Sequence, residues 1–148
     1  MVVDRPPFRI TDAPSAVDVD VVHAFLSGSY WARGIPRSTV ARAVANSLCF
    51  TLLEGDAQIG FARVVTDRAT FAYLADVFVI ESRRGRGLAR WLIATALEHP
   101  DLQGLRRWLL ATRDAHGLYA KLGFAPLADP RIFLTRHDPD VYVRGDGA

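Results

Sequence analysis

Residues 81–92 read ESRRGRGLARWL, and these residue types at this spacing suit the capture of an anion. Gly85 and Gly87 permit a tight turn and leave backbone N–H groups unobstructed, while the first turn of a helix adds unpaired donors and partial positive charge. Arg83, Arg84, Arg86 and Arg90 surround them. Such a junction is best matched to phosphate. Two well-known phosphate designs fail here. A P-loop needs Lys and then Ser or Thr after its second glycine, where this chain has Leu88 and Ala89, and a dinucleotide fingerprint needs Gly or Ala where Arg90 stands. A plain helix start with solvated arginines would account for the same residues without any ligand.

Other side chains carry chemistry of their own. Asp76 lies inside the apolar run YLADVFV. A carboxylate there is costly unless it is paired or useful, so it is either a base or amine-binding group, or the structural partner of an arginine such as Arg63. His116 could relay a proton near neutral pH, with Asp114 beside it; equally, Asp114 could cap a helix and His116 be solvated. Tyr30, Trp31 and Arg33 fall in the Gly- and Pro-containing stretch SGSYWARGIP, which reads as a loop. Cys49 sits in LCFTLL and is expected to be a buried, inert thiol.

The elements that must hold these groups follow from the apolar spacing. A short strand is expected over 8–11, an amphipathic helix over 18–27 and a second helix over 37–46. Strands are expected over 48–54 and 58–66, joined by Glu54-Gly55-Asp56, and over 70–80. The antiparallel run thus ends at the glycine-arginine junction. Leu88, Leu92 and Ala96, widened by Trp91, Ile93 and Leu97, predict a helix over 87–98 that stops before Pro100. Beyond it come a short strand over 108–112, a helix over 114–122 capped by Gly123, and strands starting at Phe124 and over 131–135. The residues from about 139 read as a frayed tail.

With 148 residues, the chain suits a single domain with a sizeable core. Half its residues are hydrophobic and 23% are charged, which is a globular composition. A net charge of only +2 and the lack of interleaved aromatics argue against a nucleic-acid partner. His23, His99, His116 and His137 are scattered, so no metal is expected. No stretch approaches the roughly 20 apolar residues of a membrane span, and the N-terminus lacks a secretory pattern; a cytoplasmic protein is the expectation.

The run Arg84-Gly85-Arg86-Gly87-Leu88-Ala89 resembles the Arg/Gln-x-x-Gly-x-Gly/Ala signature of the GNAT N-acetyltransferase superfamily, and LYAKLGF about thirty residues later matches the family pattern too. The resemblance implies an α/β fold: a mixed, mostly antiparallel, twisted sheet with helices on both faces, splayed between the fourth and fifth of the expected strands. It implies acetyl-CoA as co-substrate and acetyl transfer to a primary amine of a small molecule or peptide. Carried over, Val77, Phe78 and Val79 would offer main-chain groups to the pantetheine arm, and Arg84, Gly85, Arg86, Gly87, Leu88 and Ala89 would clasp the pyrophosphate. Tyr119 would stand near the thioester sulfur as general acid, with Asp76 the second catalytic candidate. Thr112 occupies a position where many members have Asn, and a hydroxyl can replace only one of an amide's hydrogen bonds. Tyr30, Trp31, Arg63 and His116 would line the acceptor side. Ala75 stands where polyamine-acetylating relatives often have a second acidic residue. A CoA-binding module without catalysis is the alternative, and the acceptor and the oligomeric state, a homodimer included, stay open.

Overall fold

In the computed structural model, residues 1–144 are described, and their strands form one six-stranded sheet whose spatial order equals the order along the chain. β1 (Val2–Arg5) and β2 (Phe8–Thr11) form a hairpin, and β3 (Leu48–Glu54), β4 (Ala57–Thr66) and β5 (Phe71–Val79) extend it antiparallel. β6 (Arg107–Leu109) then joins β5 in parallel. α1 (Val19–Ser27) and α2 (Arg37–Ala45) cover one face and α3 (Leu88–Leu97) the other, while α4 (His116–Ala120) follows β6. This is the mixed, mostly antiparallel α/β architecture with helices on both faces that the sequence led us to expect.

Two cores result from the alternation of strand side chains. Phe50, Leu52, Val64 and Leu74 point to α3 and meet Leu92, Ile93 and Ala96, all 3% exposed or less. Cys49, Phe61 and Phe78 point the other way, onto Val22 and Leu26 of α1 and Val40 of α2. Burying each large side chain in such layers contributes about 1.5–3 kcal/mol before entropy is counted. The start of α1 is set by Asp18, whose carboxylate accepts the N–H groups of Asp20 and Val21 at 3.0 and 3.3 Å. At Gly60 a Cβ would lie 2.9 Å from Leu52 Cδ2 and 3.0 Å from the Phe78 carbonyl oxygen, so only glycine lets three strands meet there. His99, 6% exposed, bonds Asp12 through Nε2 at 2.8 Å and ties the end of α3 to the segment after β2.

The structure departs from the sequence reading at its ends. β1 was not anticipated. The strand expected over 108–112 is only Arg107–Leu109, and the helix expected over 114–122 is His116–Ala120. No side chain caps that helix, Asp114 included; the Thr112 hydroxyl accepts the N–H of Ala115, the residue before its start, at 3.1 Å. Neither Phe124 nor residues 131–135 form a strand: a 3-10 turn at Pro130–Ile132, begun by the Asp129 carboxylate accepting the Arg131 N–H, bends the chain there. Residues 139–144 form a turn. Arg144 pairs with Asp138, and half-buried Tyr142 packs on the α1–α2 core. The remainder of the expected tail, residues 145–148, lies outside the described residues. No helix among the described residues is long and apolar enough to cross a membrane.

Candidate active site

Phe71, Ala72 and Tyr73 of β5 find partners in β6, and from Leu74 to Val79 the far edge of β5 has no strand beside it among the described residues. A bulge accompanies the parting. Asp76 and Val77 stand opposite Ala62 alone, and Asp76 takes a left-handed backbone with φ of 53°. Such a conformation costs a non-glycine residue about 1–3 kcal/mol and marks a place where the surroundings over-determine the geometry. A cleft of ≈ 940 Å³ opens along this edge, with Val77, Phe78 and Val79 on one side and Thr112, Leu118 and Tyr119 on the other. It shares Val79, Arg84, Ala89 and Leu118 with a smaller hollow of ≈ 180 Å³ over the start of α3.

That hollow is the glycine-arginine junction. Gly85 and Gly87 both have positive φ, 81° and 73°, and a Cβ at either would meet no protein atom within 4 Å. The space above them is open. The N–H groups of residues 85–89 donate to no protein acceptor among the described residues, because the helix ladder begins with Trp91 N–H to Gly87 O. The arginines divide by role. Arg83 pairs with Glu54 at 2.6 Å and Arg84 Nε donates to the Val79 carbonyl at 3.0 Å, which fastens the loop to the sheet. Arg86 and Arg90 are exposed and make no ion pair among the described residues.

LYAKLGF has a local physical meaning. Gly123, at φ of 92°, ends α4 in the left-handed region; the Gly123 N–H donates to the Ala120 carbonyl and the Phe124 N–H to the Tyr119 carbonyl, at 3.2 and 3.1 Å. Both bonds of a Schellman cap are thus present. Its hydrophobic contact is also there, Phe124 meeting the Tyr119 ring edge-on with centroids 5.8 Å apart. The cap therefore fixes the half-buried phenol that faces the cleft. Burial, followed by the neighbouring Tyr30 and the Asp114 carboxylate, pushes the Tyr119 hydroxyl above its ordinary pKa and keeps it protonated at neutral pH.

The opposite wall is aromatic. Trp31 Nε1 donates to Asp76 Oδ1 at 2.9 Å, and Arg63 Nε donates to Asp76 Oδ2 at 2.8 Å. Arg63 also donates to Ser47 Oγ at 3.2 Å. Trp31 stands 5.1 Å edge-on from Tyr30 and 6.2 Å from Phe25, which stacks on Phe78 at 4.1 Å. Tyr30 reaches across the cleft: its hydroxyl oxygen accepts the Arg113 N–H at 3.2 Å, and the Arg113 guanidinium lies 3.9 Å over its ring. The loop after α1 is therefore joined to the loop after β6.

A family model for the acetyltransferase (GNAT) family matches residues 19–124. This chain belongs to the GNAT family. A solved GNAT-assigned protein from Xanthomonas campestris pv. campestris is 46% identical and superposes with a TM-score of 0.90, covering 94% of this chain and 99% of that one. A protein from Gibberella zeae assigned as an acetyltransferase is 31% identical over 109 residues, 60% of this chain, and the match spans 62% of that relative's length. A structure from Deinococcus radiodurans, 20% identical with a TM-score of 0.70 and covering 100% and 99% of the two chains, shares the fold.

Within this GNAT chain, the residues singled out from the sequence come together unevenly. Val77 to Val79, Arg84, Ala89, Thr112 and Tyr119 border one continuous cleft, as do Tyr30, Trp31, Arg63 and Asp76. His116 does not; it is exposed at the start of α4, although the neighbouring Asp114 and Ala115 line the cleft. Tyr73, Arg113 and Tyr142 line the cleft and were missed. Tyr142 could not have been found from local pattern, since the sequence around it carries tail-like signals.

Proposed function

We propose that this GNAT chain transfers an acetyl group from acetyl-CoA to a primary amine by direct attack of the amine on the thioester. The observation that carries the reading is the continuity of the site: an open cradle of unpaired backbone donors leads without a break into a cleft bordered by a fixed, protonated phenol. The residues fit acetyl-CoA. Two glycines with positive φ leave room for a pyrophosphate against the amides of Gly85 to Ala89, and the bare edge of β5 from Val77 to Val79 suits an amide-bearing arm. Thr112 spends its hydroxyl oxygen on Ala115 and keeps its O–H to donate.

Acetyl-CoA would supply an activated acyl carbon. What the chain contributes is orientation, desolvation and one proton. The apolar walls disfavour an ammonium ion, so an entering amine gives one proton to solvent and becomes nucleophilic. The new C–N bond forms as the C–S bond breaks, and the Tyr119 hydroxyl gives its proton to the leaving sulfur, to be restored by the second proton lost from nitrogen. Asp76 serves the site as an anchor, because Arg63 and Trp31 occupy one oxygen each. Arg86 and Arg90 attract the polyanionic donor.

The test is thiol release across an amine panel, in wild type and Tyr119→Phe. Loss of roughly 10- to 100-fold in kcat with acetyl-CoA affinity nearly unchanged is expected. An unaltered chemical step in the variant would remove the acid role. Acetyl-CoA binding without turnover of any amine would favour a CoA-binding module.

A further inference from the structure

The acceptor half of the cleft differs from the donor half in what its walls offer. Trp31 and Tyr30 are each 42% exposed, yet neither ring is loose. One is pinned by Asp76 and wedged against Phe25; the other is held by the Arg113 N–H and covered on one face by its guanidinium. Tyr73 and Tyr142 also line the cleft. Large aromatic surface that is half exposed and conformationally fixed has already met the ordering cost that a ligand would otherwise bear.

Two of the charges here are paired with each other. Asp76, whose side chain is 10% exposed, accepts from both Arg63 and Trp31, so the pair presents a neutral, internally bonded surface. Asp114 is the remaining lining carboxylate and lies exposed at the rim. A polyamine needs several unengaged carboxylates along its length, and among the described residues the lining offers Asp114 alone. A flat apolar group needs ring faces and edges, which the wall supplies, and burial beside them lowers the pKa of its ammonium toward the form that attacks.

Resting on the acetyl-transfer reading above, we propose that the acceptor is a small arylalkyl primary amine, its ring packed against Trp31 and Tyr30 and its nitrogen directed along β5 toward Tyr119. Trp31 is then the residue that selects the acceptor, and Asp76 a positioning residue that acts through it.

The experiment compares phenylethylamine with spermidine, glucosamine and a short peptide, by thiol release and by calorimetric titration of each amine into protein saturated with CoA. We expect phenylethylamine to exceed the others in kcat/KM by roughly tenfold or more. Trp31→Ala should lose most of that advantage through KM, and Trp31→Phe, which keeps a ring, should restore much of it; melting curves show that each variant is folded. Equal or better use of spermidine, glucosamine or peptide overturns the inference while leaving acetyl transfer intact, and so does a Trp31→Ala variant with unchanged KM. Calorimetry separates the two readings: phenylethylamine binding that Trp31→Ala abolishes, without turnover, keeps the aryl-amine site and removes acetyl transfer, whereas turnover of another amine without phenylethylamine binding does the reverse.

Discussion

Replacing Gly87 by Glu tests the cradle directly, because the structure separates its two effects. Gly87 has φ of 73° and nothing within 4 Å of where a Cβ would stand. An L-residue there costs about 1–2 kcal/mol of backbone energy, a fall of roughly 3–6 °C in Tm for a chain of this size. No clash with protein adds to it. The carboxylate would project into the open space where the proposed pyrophosphate would lie. Two negative charges held at ~5 Å from it, at an effective dielectric of about 40, repel by about 3 kcal/mol, or a hundredfold in Kd. Gly104→Ala is the matched control, since Gly104 has φ of 74° and equally open surroundings. It precedes β6, whose start pairs with Phe71 at the opposite end of β5 from the cradle. It should lose comparable backbone stability and no affinity. Calorimetry with acetyl-CoA reads the result. Wild-type affinity in a folded Gly87→Glu variant, or equal loss of affinity in Gly104→Ala, would refute the argument.

Three other outcomes are expected. Phe124→Ala should lower kcat several-fold with little change in acetyl-CoA affinity, because it releases the Tyr119 ring without touching the cradle; stopped-flow turnover beside calorimetry checks this. Gly60→Ala should destabilise by about 1–3 kcal/mol in urea unfolding, since its Cβ would press on Leu52 and on the Phe78 carbonyl, which is backbone and yields little. Burial pushes the Cys49 thiol up to about 12, with nearby Asp76 adding to the rise and Arg63 opposing it. Cys49 should therefore stay unreactive toward an aromatic disulfide reagent at pH 8 and react once the chain unfolds; rapid native-state labelling would contradict its burial.

Much of the fold was legible because the elements near the site carry redundant signals. Leu88, Leu92 and Ala96 mark α3 by spacing, Gly85 and Gly87 mark its start, and Gly55 marks the β3–β4 turn. β1 escaped because VVDR is short and is followed by two prolines, so its only support is the neighbour it pairs with. The opposite failure occurred over 131–135, where RIFLT has strand-forming residues but no partner strand: propensity says what a residue tolerates, and pairing depends on the rest of the sheet. Within the candidate site, the open turn at Gly85 and Gly87 and the place of Tyr119 in the cleft lining were readable because each lies in a contiguous motif. The link from Tyr30 to Arg113 spans 83 positions and the one from Trp31 to Asp76 spans 45, and neither leaves a local trace. Asp76 was half readable. Its cost in an apolar strand demanded a partner, and Arg63 was foreseeable, whereas Trp31 as second donor was not.

The sheet whose strand order follows the chain order has a consequence for how the molecule assembles. Each of the first four pairings joins consecutive strands, so these contacts close with comparatively short loops, except for the span between β2 and β3 that carries α1 and α2. The parallel pairing of β6 must wait for α3 to cross the sheet, and it gains only three residue pairs. The half of the molecule that completes the cleft should therefore be the last to dock and the first to open. Native-state hydrogen exchange would show lower protection for β6 and α4 than for β3 and β4, with bound acetyl-CoA slowing exchange most in the former.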